Sequence, residues 1–194
     1  MVTMELETLY IHLGSTKAGS TSLQHFLSEN RRTLANTDPG FIYPLDSLPG
    51  KFSQGRLANS LKGKFSSDSA GIWRGVRDEV ESSNLRNVII SSEFFRSIPP
   101  NTIFENLNLL GRASQIATGI YYVRPANEWI LSHYNQRAKN TFALPGLREY
   151  INQYCERYSH GSSFVRFWND WQKKSGNPPA VSPLPARGSL PWQE

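Results

Sequence analysis

Residues 9–23, Leu-Tyr-Ile-His-Leu-Gly-Ser-Thr-Lys-Ala-Gly-Ser-Thr-Ser-Leu, constrain this chain more than any other stretch. Leu9–Leu13 is a short apolar run that reads as a buried strand, and Gly14 breaks it. Small or flexible residues follow, interrupted only by Lys17, and a helical pattern starts near Ser20. A strand, a small-residue loop and a helix start together aim several backbone N–H groups at one anion. The first N–H groups of a helix have no intrahelical partner, and the helix dipole adds partial positive charge there. Gly14 and Gly19 permit backbone angles that a side chain disfavours, Ser20 and Thr21 add hydroxyl donors, and Lys17 adds a full charge. The stretch Ser15, Thr16, Lys17, Ala18, Gly19, Ser20 and Thr21 therefore reads as a phosphate cradle. An ordinary Gly/Ser-rich turn before a helix is the alternative.

Composition narrows the partners. The chain has 194 residues, enough for one domain with a real core, at 38% hydrophobic and 19% charged content. Lys and Arg number 21 against 16 Asp and Glu, a net charge of +5 that suits anionic ligands. No run of Lys or Arg exceeds two, so the clustered patch that nucleic acid demands is missing from the sequence. Cys155 is the single cysteine, which rules out an intrachain disulfide and reads as a buried structural thiol. Glu5 and Glu7 stand where a signal peptide is basic, and no eighteen consecutive apolar residues encode a membrane span. The expectation is a soluble, cytoplasmic chain. His12, His25, His133 and His160 lack metal-ligand spacing, so no metal is expected.

Strands and helices alternate along the chain. Ser22–Leu34 reads as one amphipathic helix through Leu23, Phe26, Leu27 and Leu34, and Phe41–Pro44 as an extended segment. Residues 45–71, rich in Ser, Gly, Lys and Pro, read as a mobile surface stretch with a short helix near Gln54–Leu61. Then come a helix over Ile72–Ser82, a strand over Asn87–Glu93, a helix over Asn101–Leu110, a strand over Ile116–Val123 and a helix over Ala126–Lys139. This alternation implies α/β architecture, a parallel sheet flanked by helices with right-handed crossovers. Ligands of such open sheets sit beyond the carboxyl ends of the strands. Gly14–Thr21, Ser91–Glu93 and Arg124 all lie at those ends, so one crevice should gather them.

Glu93 is a candidate general base, its pKa raised by burial, or else a strand-end carboxylate that pairs with Arg96 or caps the next turn. Arg124 leaves a strand, Pro125 opens a helix where its missing N–H costs little, and Ser132 lies two turns on. Guanidinium suits bidentate phosphate binding and the serine hydroxyl can donate to the same group. The alternative is a strand-end ion pair beside a solvent-facing serine. Trp129 and Tyr134, on the same helix, read as core or sheet-packing residues.

The cradle departs from the Walker A pattern G-x-x-x-x-G-K-[ST], because Ser20 stands where the lysine belongs and the lysine sits at 17. Ser15-Thr16-Lys17-Ala18-Gly19-Ser20-Thr21-Ser22 instead resembles the loop of sulfotransferases that use 3′-phosphoadenosine-5′-phosphosulfate (PAPS). Gly40-Phe41-Ile42-Tyr43-Pro44 resembles the family's G-x-x-Y-P segment, and Ser91-Ser92-Glu93 resembles the glutamate version of its general base. Arg124 and Ser132, eight positions apart, match the pair that holds the nucleotide's 3′-phosphate. The aromatic run Phe164–Trp171 also resembles bacterial members. The resemblance spans roughly residues 9–175 through motifs in the family's order. It implies a P-loop-like fold and sulfuryl transfer from PAPS, as co-substrate, to a hydroxyl or amine of an unidentified acceptor, carbohydrate among the candidates. It also implies Lys17 and Glu93 as catalytic residues and no metal.

Residues 177–194 carry five prolines and no periodicity, which predicts a disordered or extended tail after a 1–176 sulfotransferase-like domain. Family members continue with another strand, helices and a loop over the adenosine, so the chain reads as a C-terminally truncated member with an incomplete C-terminal part. The rival readings are a P-loop nucleotide kinase, which lacks its Walker lysine and aspartate here, and a truncated, non-catalytic nucleotide- or anion-binding relic. Acceptor identity and oligomeric state are not encoded in any recognisable pattern.

Overall fold

The computed structural model describes residues 5–14, 17–46, 48, 52–62, 69–111, 113–141, 143–158 and 162–183, with backbone alone at 113, 114, 157, 158, 162–164 and 183. The elements run β1 (Thr8–His12), α1 (Ser20–Glu29), α2 (Arg31–Ala35), β2 (Phe41–Ile42), α3 (Gly55–Ser60), α4 (Ser69–Ser83) and β3 (Asn87–Ser91). A 3-10 turn at Glu93–Ser97 leads to α5 (Pro100–Leu107), a second at Asn108–Leu110 to α6 (Ala113–Ile116), and then β4 (Ala117–Val123). The chain closes with α7 (Ala126–Asn140), α8 (Leu147–Tyr158), α9 (Ser162–Ser175) and β5 (Ala180–Pro183). The five strands form one sheet in the order β2-β3-β1-β4-β5, parallel at every pairing.

Strand order places the ligand-facing crevice. From β1 the chain crosses past β3 to the β2 edge, whereas from β4 it crosses the other way to β5. Loops leaving the neighbours β1 and β4 therefore diverge, which opens a gap at their carboxyl ends. Register aligns those ends, with His12 opposite both Ser91 of β3 and Ile120 of β4.

One sheet face holds most of the apolar core. Leu9, Ile11 and Leu13 alternate inward from β1 and meet Ile72, Trp73, Val76 and Val80 of α4, Ile103 and Leu107 of α5, and Phe167 and Trp171 of α9. The other face is thinner, built from Leu27, Tyr43 and Leu45 with Leu23, Leu34 and Ile89 packed on them. Helix α7 buries no residue. Trp129, His133, Tyr150 and Tyr154 instead stack between α7 and α8 with ring centroids 5.0–6.4 Å apart. Trp129 and Tyr134, expected as core or sheet-packing residues, are half-buried and pack their rings against Tyr154 and Tyr150 of α8.

Other expectations are corrected by specific interactions. The helix expected over Ser22–Leu34 breaks at Asn30, whose backbone and side-chain N–H groups both donate to the Phe26 carbonyl, at 3.0 and 2.8 Å. Much of the stretch expected to be mobile is packed. Leu45, Leu48, Gln54, Leu57, Ala58 and Ser60 are buried, and α3 forms where a short helix was expected. Gln54 explains part of this order. Its Oε1 accepts from Ser91 N–H at 2.6 Å and its Nε2 donates to the Pro44 carbonyl at 2.7 Å. An amide side chain thereby continues the hydrogen-bond ladder of β3 after β2 has ended.

The tail boundary also shifts. Ala180–Pro183, expected to belong to a disordered or extended tail, pairs in parallel with Ile120–Val123 as the fifth strand. An edge position tolerates Pro183 because one side of the strand needs no ladder donor. Residues 184–194, 63–68 and His160 lie outside the described residues. Cys155 is exposed on α8, not buried as the sequence suggests. Among the described residues no helix is long and apolar enough to cross a membrane.

Candidate functional site

The turn after β1 is built on left-handed backbone at the residues described. Gly14 takes φ 53° and Gly19, which caps α1, takes φ 75°. Gly14 is also pressed from outside: a Cβ there would stand 3.0 Å from Ser20 Oγ and 3.1 Å from the Glu93 Cα. Only glycine fits that approach without displacement of backbone. Lys17 adopts φ 67°, a left-handed conformation that costs a non-glycine residue about 1–2 kcal/mol. Helix α1 has no acidic residue in its first turn and no side-chain cap from Gly19, so its positive end carries no carboxylate of its own. Ser15 and Thr16 lie outside the described residues; Ala18 and Ser20 are buried and Thr21 is exposed.

Arg124, at the end of β4, stabilises that turn. Its Nη1 donates to the Lys17 carbonyl at 3.0 Å, which holds the left-handed residue in place. Its Nε donates to Glu128 Oε2 at 3.1 Å, one helical turn on. The Arg124 side chain is 17% exposed and that of Glu128 51%. An open cleft of about 810 Å³ begins here, lined by Lys17, Arg124 and Ser132 and continued along α7 by Asn135, Gln136 and Lys139. The expected phosphate ligands at 17, 124 and 132 therefore share one cleft, but Arg124 enters it already paired.

The field around the cleft is positive. Burial first, and then the charges of Arg137, Lys17 and Arg96, push the pKa of His133 below its ordinary value. His133 Nδ1 is hydrogen-bonded to the Tyr150 hydroxyl. Such a field favours an anionic ligand over a cationic one.

Glu93 lies on the far side of the turn, at the mouth of β3. It opens the 3-10 turn whose cap is Ser92, the hydroxyl of which accepts from Phe94 N–H at 3.3 Å. Capping therefore falls to Ser92, and among the described residues Glu93 forms no ion pair with Arg96. Gln24 Nε2 donates to Glu93 Oε2 at 3.0 Å and, more weakly, to the Ser91 carbonyl at 3.5 Å. His12 is 2% exposed, with Nδ1 2.8 Å from Ser91 Oγ, the Tyr122 ring 5.3 Å away and no partner for Nε2 among the described residues. Burial lowers the His12 pKa to about 4, so the ring is neutral at physiological pH.

The sequence analysis assigns no site role to two polar residues here, Gln24 and His12. Gln24 could have been found as the polar residue on the inward stripe Ser20, Gln24, Leu27 of α1. His12 stands out in the sequence as the one imidazole inside the apolar run of β1. Among the described residues, no cluster of three or more His, Cys, Asp or Glu is placed to hold a metal ion. No family model, no curated protein and no solved structure matches this chain.

Proposed function

We propose that the chain is a sulfotransferase that uses PAPS and carries sulfuryl groups to a hydroxyl or amine acceptor. The observation that carries this reading is the meeting of Lys17 with Arg124 and Ser132, from two distant parts of the sequence, on one cleft at the diverging ends of β1 and β4. The residues present fit a nucleotide with two anionic ends. The turn at 14–21 suits the 5′ end, while the guanidinium of Arg124 and the hydroxyl of Ser132 suit a 3′-phosphate.

The nucleotide, when bound, supplies the sulfuryl group. The acceptor oxygen forms a new S–O bond as the S–O bond to the 5′-phosphate breaks, and the electron pair stays with the phosphate. Lys17 and the positive end of α1 stabilise the charge that gathers there. Glu93 takes the proton from the acceptor, which balances the exchange.

Calorimetric titration with 3′-phosphoadenosine-5′-phosphate, and separately with ATP and magnesium, tests the reading. Binding of the first alone supports it, and binding of ATP with magnesium alone points to a kinase instead. The Lys17→Ala variant should bind the bisphosphate about ten- to hundredfold more weakly, the worth of one hydrogen bond to a charged group. An unchanged affinity in that variant would refute the cradle.

A further inference from the structure

We propose that Gln24 is the positioning residue that fixes the Glu93 carboxylate, presenting one oxygen to the site and holding the other. For what that carboxylate then does, the inference rests on the sulfuryl-transfer reading. Gln24 is 2% exposed on the inward stripe of α1, between Ser20 and Leu27. Burying an amide there is unfavourable unless a partner is met, and leucine would serve packing better. The partner is specific: Nε2 donates to Glu93 Oε2 at 3.0 Å, while Oε1 of Glu93 accepts no hydrogen bond among the described residues.

The surroundings remove the remaining freedom of Glu93. Gly14 lies close against it, since a Cβ added there would stand 3.1 Å from its Cα and Cβ, and the Ser92 cap starts the turn that carries it. With one oxygen bound and the backbone held, the carboxylate has a single orientation rather than two interchanging ones. Gln24 sits one turn after Ser20, at the same rigid helix end that shapes the cradle. One helix thus sets both the anion turn and the direction of the carboxylate.

The test uses the full chain and two readouts. By NMR, the Gln24 side-chain amide should shift in the Glu93→Gln variant, and the Glu93 carboxyl carbon should show motional averaging in Gln24→Met but not in the unaltered chain. With PAPS and an acceptor, Gln24→Met should lose about ten- to hundredfold in kcat with KM for PAPS and affinity for 3′-phosphoadenosine-5′-phosphate within about twofold. A merely structural glutamine would lower binding and stability together. An amide blind to Glu93→Gln overturns the proposal, as does Gln24→Met with full kcat. Because Glu93→Gln leaves Gln24 in place, the amide arm survives a Gln24→Met chain that fails to fold. An ordered carboxylate that loosens in Gln24→Met, in a chain that never consumes PAPS, supports the positioning and sinks the sulfuryl-transfer reading alone.

Discussion

Glu128 competes for the guanidinium that an incoming phosphate needs, so its removal should tighten anion binding. Arg124 Nε and Glu128 Oε2 are 3.1 Å apart. Two unit charges at about that distance attract by roughly 1.3 kcal/mol in bulk water, about ninefold in affinity, and by more where the dielectric is lower. Glu128 is half exposed, at 51%, so ordering of the side chain and salt erode that figure. Exposed pairs are worth about 0.2–1 kcal/mol, which corresponds to roughly 1.4- to 5-fold. Arg124 keeps its bond to the Lys17 carbonyl when Glu128 is gone, so the turn should hold its shape. Glu128→Gln should therefore bind 3′-phosphoadenosine-5′-phosphate about 1.4- to 5-fold more tightly by calorimetry at low salt. The gain should fade near 1 M salt, where the screening length shrinks to about 3 Å. Equal or weaker binding by Glu128→Gln at low salt would refute the idea that the cleft takes its anion at Arg124.

Two further outcomes concern stability. A Cβ on Gly119 would stand 3.0 Å from Leu13 Cδ1 and from Cε2 of fully buried Trp171, so Gly119→Ala should cost about 1–3 kcal/mol by urea denaturation. A loss under about 0.5 kcal/mol would mean that α9 does not press on the sheet there. His12 stays neutral in the folded chain down to pH about 4, whereas its ordinary value in the unfolded chain is 6.5. The unfolded state thus binds the extra proton between those values, and stability falls as pH falls through that window, by about 2 kcal/mol at pH 5. Replacing His12 with Gln should flatten this slope in denaturation midpoints, and identical slopes in the two proteins would refute it.

Much of the architecture is legible because apolar periodicity and backbone chemistry are local. Ile72, Val76 and Val80 announce α4, Asn87–Ser91 announces β3, and the glycines at 14 and 19 announce a turn that only left-handed angles can make. The strength of an edge strand is not local. Ala180–Pro183 has no period of its own, and it is extended because Ile120–Val123 offers an unpaired ladder. The break at Asn30 was hidden for a related reason: a side-chain bond to one carbonyl outweighs helix continuity, and the apolar spacing across it looks unbroken. Helix α8 was missed because its inward residues are tyrosines packed on α7, not an aliphatic stripe on the sheet.

By itself the sequence determined the parallel α/β arrangement, the turn after β1 and the residue types able to meet an anion. Only the tertiary structure decided which of them meet. It set Lys17, Arg124 and Ser132 on one cleft, gave Arg124 a standing partner in Glu128 and placed Gln24 against Glu93. The physical reason is range. Helix and strand formation depend on neighbours a few residues away, whereas the bond from Arg124 to Lys17 joins positions 107 apart and exists only once the sheet has aligned their strand ends.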